Sequence, residues 1–200
     1  MSQVIHIIDT DAAARNSLAF LLVTAGYAVR THDSGRSFLG ELDGAIPACL
    51  ITDMCLPDVS GLDLIKEVKA RDNATPVIVV SEQGKVSKAV EAMKAGAADF
   101  LEKPFQDQRM LQAVENACTP AKTHDEAPSH EDIRKRLQAL TTRERQVLDA
   151  IVDGLSNKLI AHRLDISPRT VEIHRANLMS KLRIRNLPQL VRLMVAVSEN

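Results

Sequence analysis

Four residues whose side chains can do chemistry share one sequence context: Asp9, Asp53, Ser81 and Lys103. Each closes or closely follows a short apolar run rich in β-formers. Val4-Ile5-His6-Ile7-Ile8 runs into Asp9, and Cys49-Leu50-Ile51-Thr52 runs into Asp53. Val77-Ile78-Val79-Val80 runs into Ser81, and residues 98–101 lead into Glu102-Lys103-Pro104. Two carboxylates offer hard oxygen ligands for a cation, an ammonium offers a compact positive charge, and a hydroxyl offers one hydrogen bond. A single acid at a strand end can do no more than satisfy its own turn's backbone donors. That local role does not predict an amine and a hydroxyl at the ends of neighbouring strands.

The elements that must hold these residues alternate. Residues 3–8 read as a buried strand, followed by a helix with Leu18, Leu21, Leu22 and Ala25 at helical spacing, stopped by Gly26. A shorter strand spans 27–31. Ser34 caps a helix to about Leu42, which Gly44 and Pro47 break. The strand ending at Asp53 is turned by Pro57 and Gly61 into a helix near 61–71. A strand over 77–80 leads to a helix near 86–95 closed by Gly96, a strand over 98–101 and a helix near 106–117. Strict βα alternation with short connections means a doubly wound parallel sheet, and five strands favour the flavodoxin-like arrangement. In such sheets the carboxyl ends of the strands share one rim, which brings the four residues together.

Composition narrows the field. An apolar fraction of 45% supports real cores. No apolar run approaches the roughly 18 residues of a membrane span, and the N-terminus shows no basic stretch of an export signal. Cys49, Cys55 and Cys118 form no CxxC pair and are odd in number, which points to reduced thiols in a cytoplasmic protein. The six histidines show no metal-ligand spacing. Charge divides the chain. Residues 1–118 carry 11 Lys/Arg against 16 Asp/Glu, whereas residues 131–200 carry 13 against 8. The basic second half suits a polyanionic partner.

Asp9, the Asp53-x-x-x-Pro57-x-x-x-Gly61 spacing, Ser81 and Lys103-Pro104 resemble the receiver domain of two-component response regulators. The stretch Ala89-Val90-Glu91-Ala92-Met93-Lys94-Ala95-Gly96-Ala97, with Asp99-Phe100, resembles the FixJ branch. The resemblance implies that Asp53 accepts a phosphoryl group. It implies Mg²⁺ held by Asp9, Asp53 and the backbone carbonyl of Cys55, with Lys103 beside the phosphoryl oxygens. It also implies that Ser81 moves toward the phosphoryl group and that Phe100 swings inward behind it; without the resemblance, Phe100 reads as a core aromatic. One departure stands out. The family usually has two adjacent acids after the first strand, whereas this chain has Asp9-Thr10, with Asp11 one step on. A neutral hydroxyl is a poorer Mg²⁺ ligand than a carboxylate, so weak metal binding is expected.

Residues 119–135 read as a linker. It has two prolines, few bulky apolar residues, solvated His124 and His130, and a charged helical lead-in from 131. Beyond it, Thr141-Thr142-Arg143-Glu144 offers a helix cap, with Thr142 and Arg145 at the start of an amphipathic turn, and Val147, Leu148 and Ile151 form a buried stripe ended by Gly154. Ser156 caps a helix with Leu159, Ile160 and Leu164 inward, and Asp165-Ile166 makes a tight turn. Ser167 caps a third helix with Pro168 at its first position. Two short helices joined by a tight turn form a helix-turn-helix, and 187–197 forms a fourth helix. On the third helix, Val171, His174, Leu178 and Leu182 fall on one stripe. Arg169, Glu172, Ile173, Ala176 and Asn177 fall opposite, flanked by Thr170, Arg175 and Lys181. Small and apolar residues among polar ones suit base edges, and cations suit phosphates, as do Asn157, Lys158 and Arg163 on the preceding helix. A solvated face that binds protein is the plainer alternative.

Leu140-Thr141-x-Arg143-Glu144-x-x-Val147-Leu148, Gly154-Leu155-Ser156-Asn157-Lys158-x-Ile160-Ala161 and Ser167-Pro168-Arg169-Thr170-Val171-Glu172-x-His174-Arg175 resemble the LuxR-type helix-turn-helix. The expectation is therefore a receiver over 1–118, a linker over 119–135 and a four-helix DNA-binding domain over 136–200. It is a transcription regulator and not an enzyme beyond hydrolysing its own aspartyl phosphate. A sensor histidine kinase phosphorylates Asp53, the protein dimerises on a two-fold DNA operator, and RNA polymerase is a further partner; no membrane is involved. A phosphorylation-independent DNA-binding regulator is the alternative. A phosphotransfer enzyme acting on a small substrate is disfavoured by the short loops.

Overall fold

The structure is a computed structural model that describes residues 4–42, 47–82, 86–119, 130–184 and 186–198. Gly44, the linker prolines and His124 lie outside these residues.

The first unit is built on β1 (Val4–Ile8), β2 (Ala28–His32), β3 (Cys49–Asp53), β4 (Val77–Ser81) and β5 (Asp99–Glu102). All pairs are parallel, in the order β2-β1-β3-β4-β5, the flavodoxin-like order expected. The strands alternate with α1 (Ala12–Thr24), α2 (Gly35–Glu41), α3 (Gly61–Arg71), α4 (Val86–Lys94) and α5 (Asp107–Cys118). β3 and β4 are buried at every position. Helices cover both faces, so continuous apolar runs replace alternation. On one face Ile5, Ile7, Cys49, Ile51 and Ile78 meet Leu18 and Leu22 of α1 and Met110, Ala113 and Val114 of α5. On the other, the His6 ring meets the edge of Phe38 in α2, with ring centroids 5.5 Å apart.

Helix ends account for small differences from the sequence reading. The Asp11 carboxylate, not recognised as a cap, accepts from Ala13 N and Ala14 N and starts α1. Gly26, at φ +91, lets Tyr27 N close on Leu22 O at 3.0 Å, so β2 begins one residue later than expected.

The second domain contains α6 (His130–Gln138), α7 (Thr142–Val152), α8 (Asn157–Leu164), α9 (Pro168–Leu182) and α10 (Leu187–Ser198). Its core gathers Val147, Leu148, Ile151, Ile160, Val171, Leu178, Leu182 and Leu190. Ile133 and Leu137 of α6 are buried in the same cluster. The charged lead-in is thus a fifth packed helix, and the packed domain starts within the stretch expected as linker. Thr141 and Glu144 form a capping box: Glu144 N donates to Thr141 Oγ1 at 3.2 Å, and Thr141 N donates to Glu144 Oε2 at 2.8 Å. Among the described residues no helix is long and apolar enough to cross a membrane.

Candidate functional site

The parallel register sets Asp9, Asp53, Ser81 and Lys103 along one rim. Asp53 is the last residue of β3 and pairs with Val80; Ser81 ends β4 and pairs with Glu102. Lys103 N donates to Ser81 O at 2.9 Å, extending the pairing by one residue. Asp9, Asp53 and Ser81 are all buried. The Lys103 ammonium donates to Asp9 Oδ2 at 2.8 Å and to Asp53 Oδ2 at 2.7 Å. Burial alone would lower the Lys103 pKa, but its hydrogen bonds to Asp53 and Asp9 and their negative charges outweigh burial and raise it. The lysine is thus held charged between two carboxylates. The remaining oxygens are oriented from the backbone. Asp11 N donates to Asp9 Oδ1 at 2.9 Å, and Cys55 N donates to Asp53 Oδ1 at 2.7 Å.

The turn after β3 depends on Gly61. A Cβ there would lie 2.9 Å from Asp53 O, Met54 Cα and Met54 O. The first turn of α3 therefore packs directly on the backbone that carries the acid, and Gly61 N donates back to Met54 O at 3.1 Å. The Lys103–Pro104 peptide bond is cis. Phe100, at the second position of β5, is half-buried and lines a surface groove with Leu101, Glu102, Phe105, Gln106 and Arg109. Arg109 is tied to Asp99 at 2.7 Å.

Thr10 is exposed, and Asp11 Oδ1 caps the N-terminus of α1, accepting from Ala13 N and Ala14 N. Among the described residues no cluster of three or more His, Cys, Asp or Glu is arranged around a metal position. Asp9 and Asp53 nevertheless converge on one ammonium, which shows that a single cation can be shared by both. Two carboxylates that converge on one cation fit a hard divalent ion that keeps several waters.

In the second domain α8 and α9 form the helix pair. Asp165, at φ 53, ends α8, and Ile166 N returns to Ala161 O at 3.0 Å. Ser167 then caps α9 through Thr170 N at 3.0 Å. Arg169, Glu172, Ile173, Ala176 and Asn177 are all exposed; Val171, Leu178 and Leu182 are buried and His174 is half-buried. Ile173 is 54% exposed, so the outward face of α9 carries a large apolar side chain among polar ones.

Three assignments on this domain change. Leu159, expected inward, is 56% exposed, and Ile160 and Ala161 take the buried positions. Lys181, expected on the polyanion-facing side, donates to Glu144 Oε2 at 2.6 Å and Ala139 O at 3.3 Å. It holds α9 to the α7 cap. Arg175 is half-buried and donates to Asn157 Oδ1 at 2.6 Å, binding the two helices together. Lys158, Arg163 and Arg169 are exposed, Arg163 with Asp153 at 3.1 Å.

Comparison with known proteins shows the family of both domains. Residues 5–115 match the response regulator receiver domain, and residues 138–194 match the bacterial regulatory proteins of the luxR family. The chain belongs to the response regulator receiver family, with a luxR-family second domain. It is a two-component transcriptional response regulator similar to FixJ. The transcriptional regulatory protein FixJ of Rhizobium meliloti (strain 1021) is 47% identical over 193 residues, which cover 96% of this chain and 95% of that protein. The response regulator protein TodT of Pseudomonas putida (strain F1) is 36% identical, covering 96% of this chain and 85% of that one. The crystal structure of full-length FixJ from B. japonicum is 41% identical, with a TM-score of 0.55 covering 100% of this chain and 99% of that one.

Proposed function

We propose that Asp53 is the phosphoacceptor and that its charge state governs DNA binding by the second domain. The observation that carries this reading is the single ammonium of Lys103 bridging Asp9 and Asp53 on the rim that also holds Ser81. A carboxylate oxygen of Asp53 attacks the phosphorus of a sensor kinase's phosphohistidine. The P–N bond breaks, and an acyl phosphate forms. The obstacle is repulsion between anions. Lys103 reduces it from one side. Asp9, Asp53 and the Cys55 carbonyl are the residues that would hold Mg²⁺, which when bound offsets the remaining negative charge. Cys55 N keeps the Asp53 carboxylate oriented. Once Asp53 carries the phosphoryl group, Lys103 has a more highly charged partner and Ser81 a new acceptor on the adjacent strand. That local charge change is suited to bias a two-state element that includes Phe100.

The DNA-facing residues are Lys158, Arg163, Arg169, Thr170, Glu172, Ile173, Ala176 and Asn177. Asn157 and Arg175 hold the helix pair in register behind them. The exposed α9 face enters the major groove, with Ile173 and Ala176 against base edges and the cations on phosphates. Dimerisation on phosphorylation pairs two such faces on half-sites about one helical turn apart, and RNA polymerase is the downstream partner. The test is acetyl phosphate treatment of the full chain and of Asp53→Asn with Mg²⁺, read by intact mass and by sedimentation. The wild type gains one phosphoryl group and dimerises; Asp53→Asn does neither. Unmodified wild type at saturating Mg²⁺ would overturn the reading. It would favour the second one, a phosphorylation-independent regulator, to which the neutral Thr10 and the committed Asp11 carboxylate lend support.

A further inference from the structure

The loop over residues 54–60 carries the Cys55 carbonyl that would hold Mg²⁺ and the Cys55 N–H that orients Asp53 Oδ1 at 2.7 Å. Its two ends are fixed from the backbone. Met54 N donates to Val80 O at 2.9 Å, and Gly61 N closes on Met54 O at 3.1 Å. Between them Leu56 is buried, and Pro57 restricts its own φ. The middle of the loop is held from a different element. Asp58 is half-buried, and its carboxylate accepts from Arg36 N at 2.7 Å and from Gly35 N at 3.3 Å. Gly35 and Arg36 are the first two residues of α2. A Cβ at Gly35 would overlap Val59 Cγ1 and lie 3.5 Å from Leu56 Cδ1, so the start of α2 rests directly on the loop.

α2 already has a cap of its own. The first N–H groups of a helix lack intrahelical partners, and Ser34 Oγ, next to the helix in sequence, takes Ser37 N at 3.3 Å. Asp58 takes two more of them from 22 positions beyond Arg36. The bonds that complete the cap of α2 therefore also fix the loop, three residues from Cys55 and five from Asp53. We propose that Asp58 is a positioning residue for the metal site, presenting the Cys55 carbonyl and the Asp53 carboxylate to Mg²⁺ by fixing their loop against α2. The inference rests on the reading of Asp9, Asp53 and the Cys55 carbonyl as the groups that hold the ion. With a neutral Thr10 beside Asp9, the site has few charged ligands and depends the more on how those present are oriented.

Isothermal titration of the full chain with MgCl₂ tests this, with thermal midpoints measured in parallel. Asp58→Ala should weaken Mg²⁺ binding by about tenfold, the scale at which partners that orient metal ligands act. Asp58→Asn, whose amide oxygen still accepts, should recover part of the loss. Ser34→Ala removes the other cap of the same helix; it should lower the midpoint and leave Mg²⁺ affinity unchanged. The rate of labelling by acetyl phosphate should divide in the same way. Asp58→Ala needs more Mg²⁺ for its half-maximal rate and reaches the wild-type rate at saturation. In the wild type, where no variant has to fold, amide exchange at Gly35 and Arg36 followed by NMR should slow when MgCl₂ is added, because coupling between two sites is reciprocal. Three results would overturn the proposal. They are equal Mg²⁺ affinity in Asp58→Ala and wild type, an equal loss of affinity in Ser34→Ala, or exchange at Gly35 and Arg36 indifferent to Mg²⁺. A wild type that binds Mg²⁺ in the expected pattern yet takes no phosphoryl group would remove the phosphoacceptor reading of Asp53 and leave the role of Asp58 standing.

Discussion

The Lys103 ammonium stands 2.7 Å from Asp53 Oδ2 and 2.8 Å from Asp9 Oδ2, so one lysine just past β5 is shared by two buried acids at the ends of two other strands. Removing it leaves two carboxylates facing each other with little water to separate them. Lys103→Met should lower the thermal midpoint without Mg²⁺. Added Mg²⁺ should then raise that midpoint by more than it does in the wild type, because the ion no longer competes with an ammonium for the same oxygens. Differential scanning calorimetry with and without MgCl₂ measures both. Equal Mg²⁺ increments in the two proteins would show that Lys103 and the ion do not share a site.

Thr10 is the second test of the same cluster. Asp11 is the nearest alternative acid, and its carboxylate is spent on Ala13 N and Ala14 N. A carboxylate at position 10 would add a charged hard ligand without disturbing that cap. Thr10→Asp should tighten Mg²⁺ binding by about tenfold, since affinity of such sites rises with the number of charged ligands. Isothermal titration of wild type and variant checks it. Asp11→Asn should leave Mg²⁺ affinity nearly unchanged, because an amide oxygen still caps the helix.

How far the sequence reveals this site follows from what each residue does locally. Asp53, Ser81 and Lys103 stand at or just past the end of apolar runs, and parallel sheets place such ends together, so their convergence could be read in advance. Asp11 could not be assigned the same way, because a carboxylate near a missing ligand and a carboxylate capping a helix look alike in sequence. Lys181 and Arg175 fall at positions that a helical period places on the flanks of α9. Only the tertiary partners Glu144 and Asn157 reveal that both cations are engaged by other helices of the domain. Leu159 sits beside Ile160 in a helix of eight residues, too short for its period to separate inward from outward.

His6 and His32 give the first domain a defined acid sensitivity. The His6 Nδ1 and His32 Nε2 atoms are 2.9 Å apart, the rings are stacked, and Phe38 of α2 closes the cluster edge-on. Burial, then His32 and Arg30, lowers the His6 pKa from 6.5 to about 4. Burial also lowers His32, partly offset by Glu41 and Asp33, with Arg30 lowering it further. A protonated His32 Nδ1, which has no hydrogen-bond partner, would face Glu41 Oε1 at 4.0 Å. Both groups bind protons more readily unfolded, so folding stability is full above pH 6.5 and declines as the pH falls toward 4. The loss should reach on the order of 3 kcal/mol for His6. Urea unfolding at successive pH values measures it. His6→Leu/His32→Leu should flatten the decline, and an unchanged slope would assign it to carboxylates instead.

Lys181 and Lys158 separate a structural cation from a DNA-facing one. Lys181 meets Glu144, whose side chain is 4% exposed, and holds that carboxyl below its ordinary range. Lys158 is exposed at the start of α8. Each phosphate contact contributes about one unit to the slope of log affinity against log salt. Lys158→Ala should therefore leave the unfolding midpoint unchanged and reduce the salt slope of DNA binding by about one. Lys181→Met should do the opposite. It removes a hydrogen bond to a buried charge, costs about 1–2 kcal/mol of stability, and leaves the salt slope intact. Urea unfolding, with fluorescence anisotropy on a labelled duplex at several salt concentrations, reads both quantities on each variant. A reduced slope in Lys181→Met at full stability would return that lysine to the DNA-facing surface.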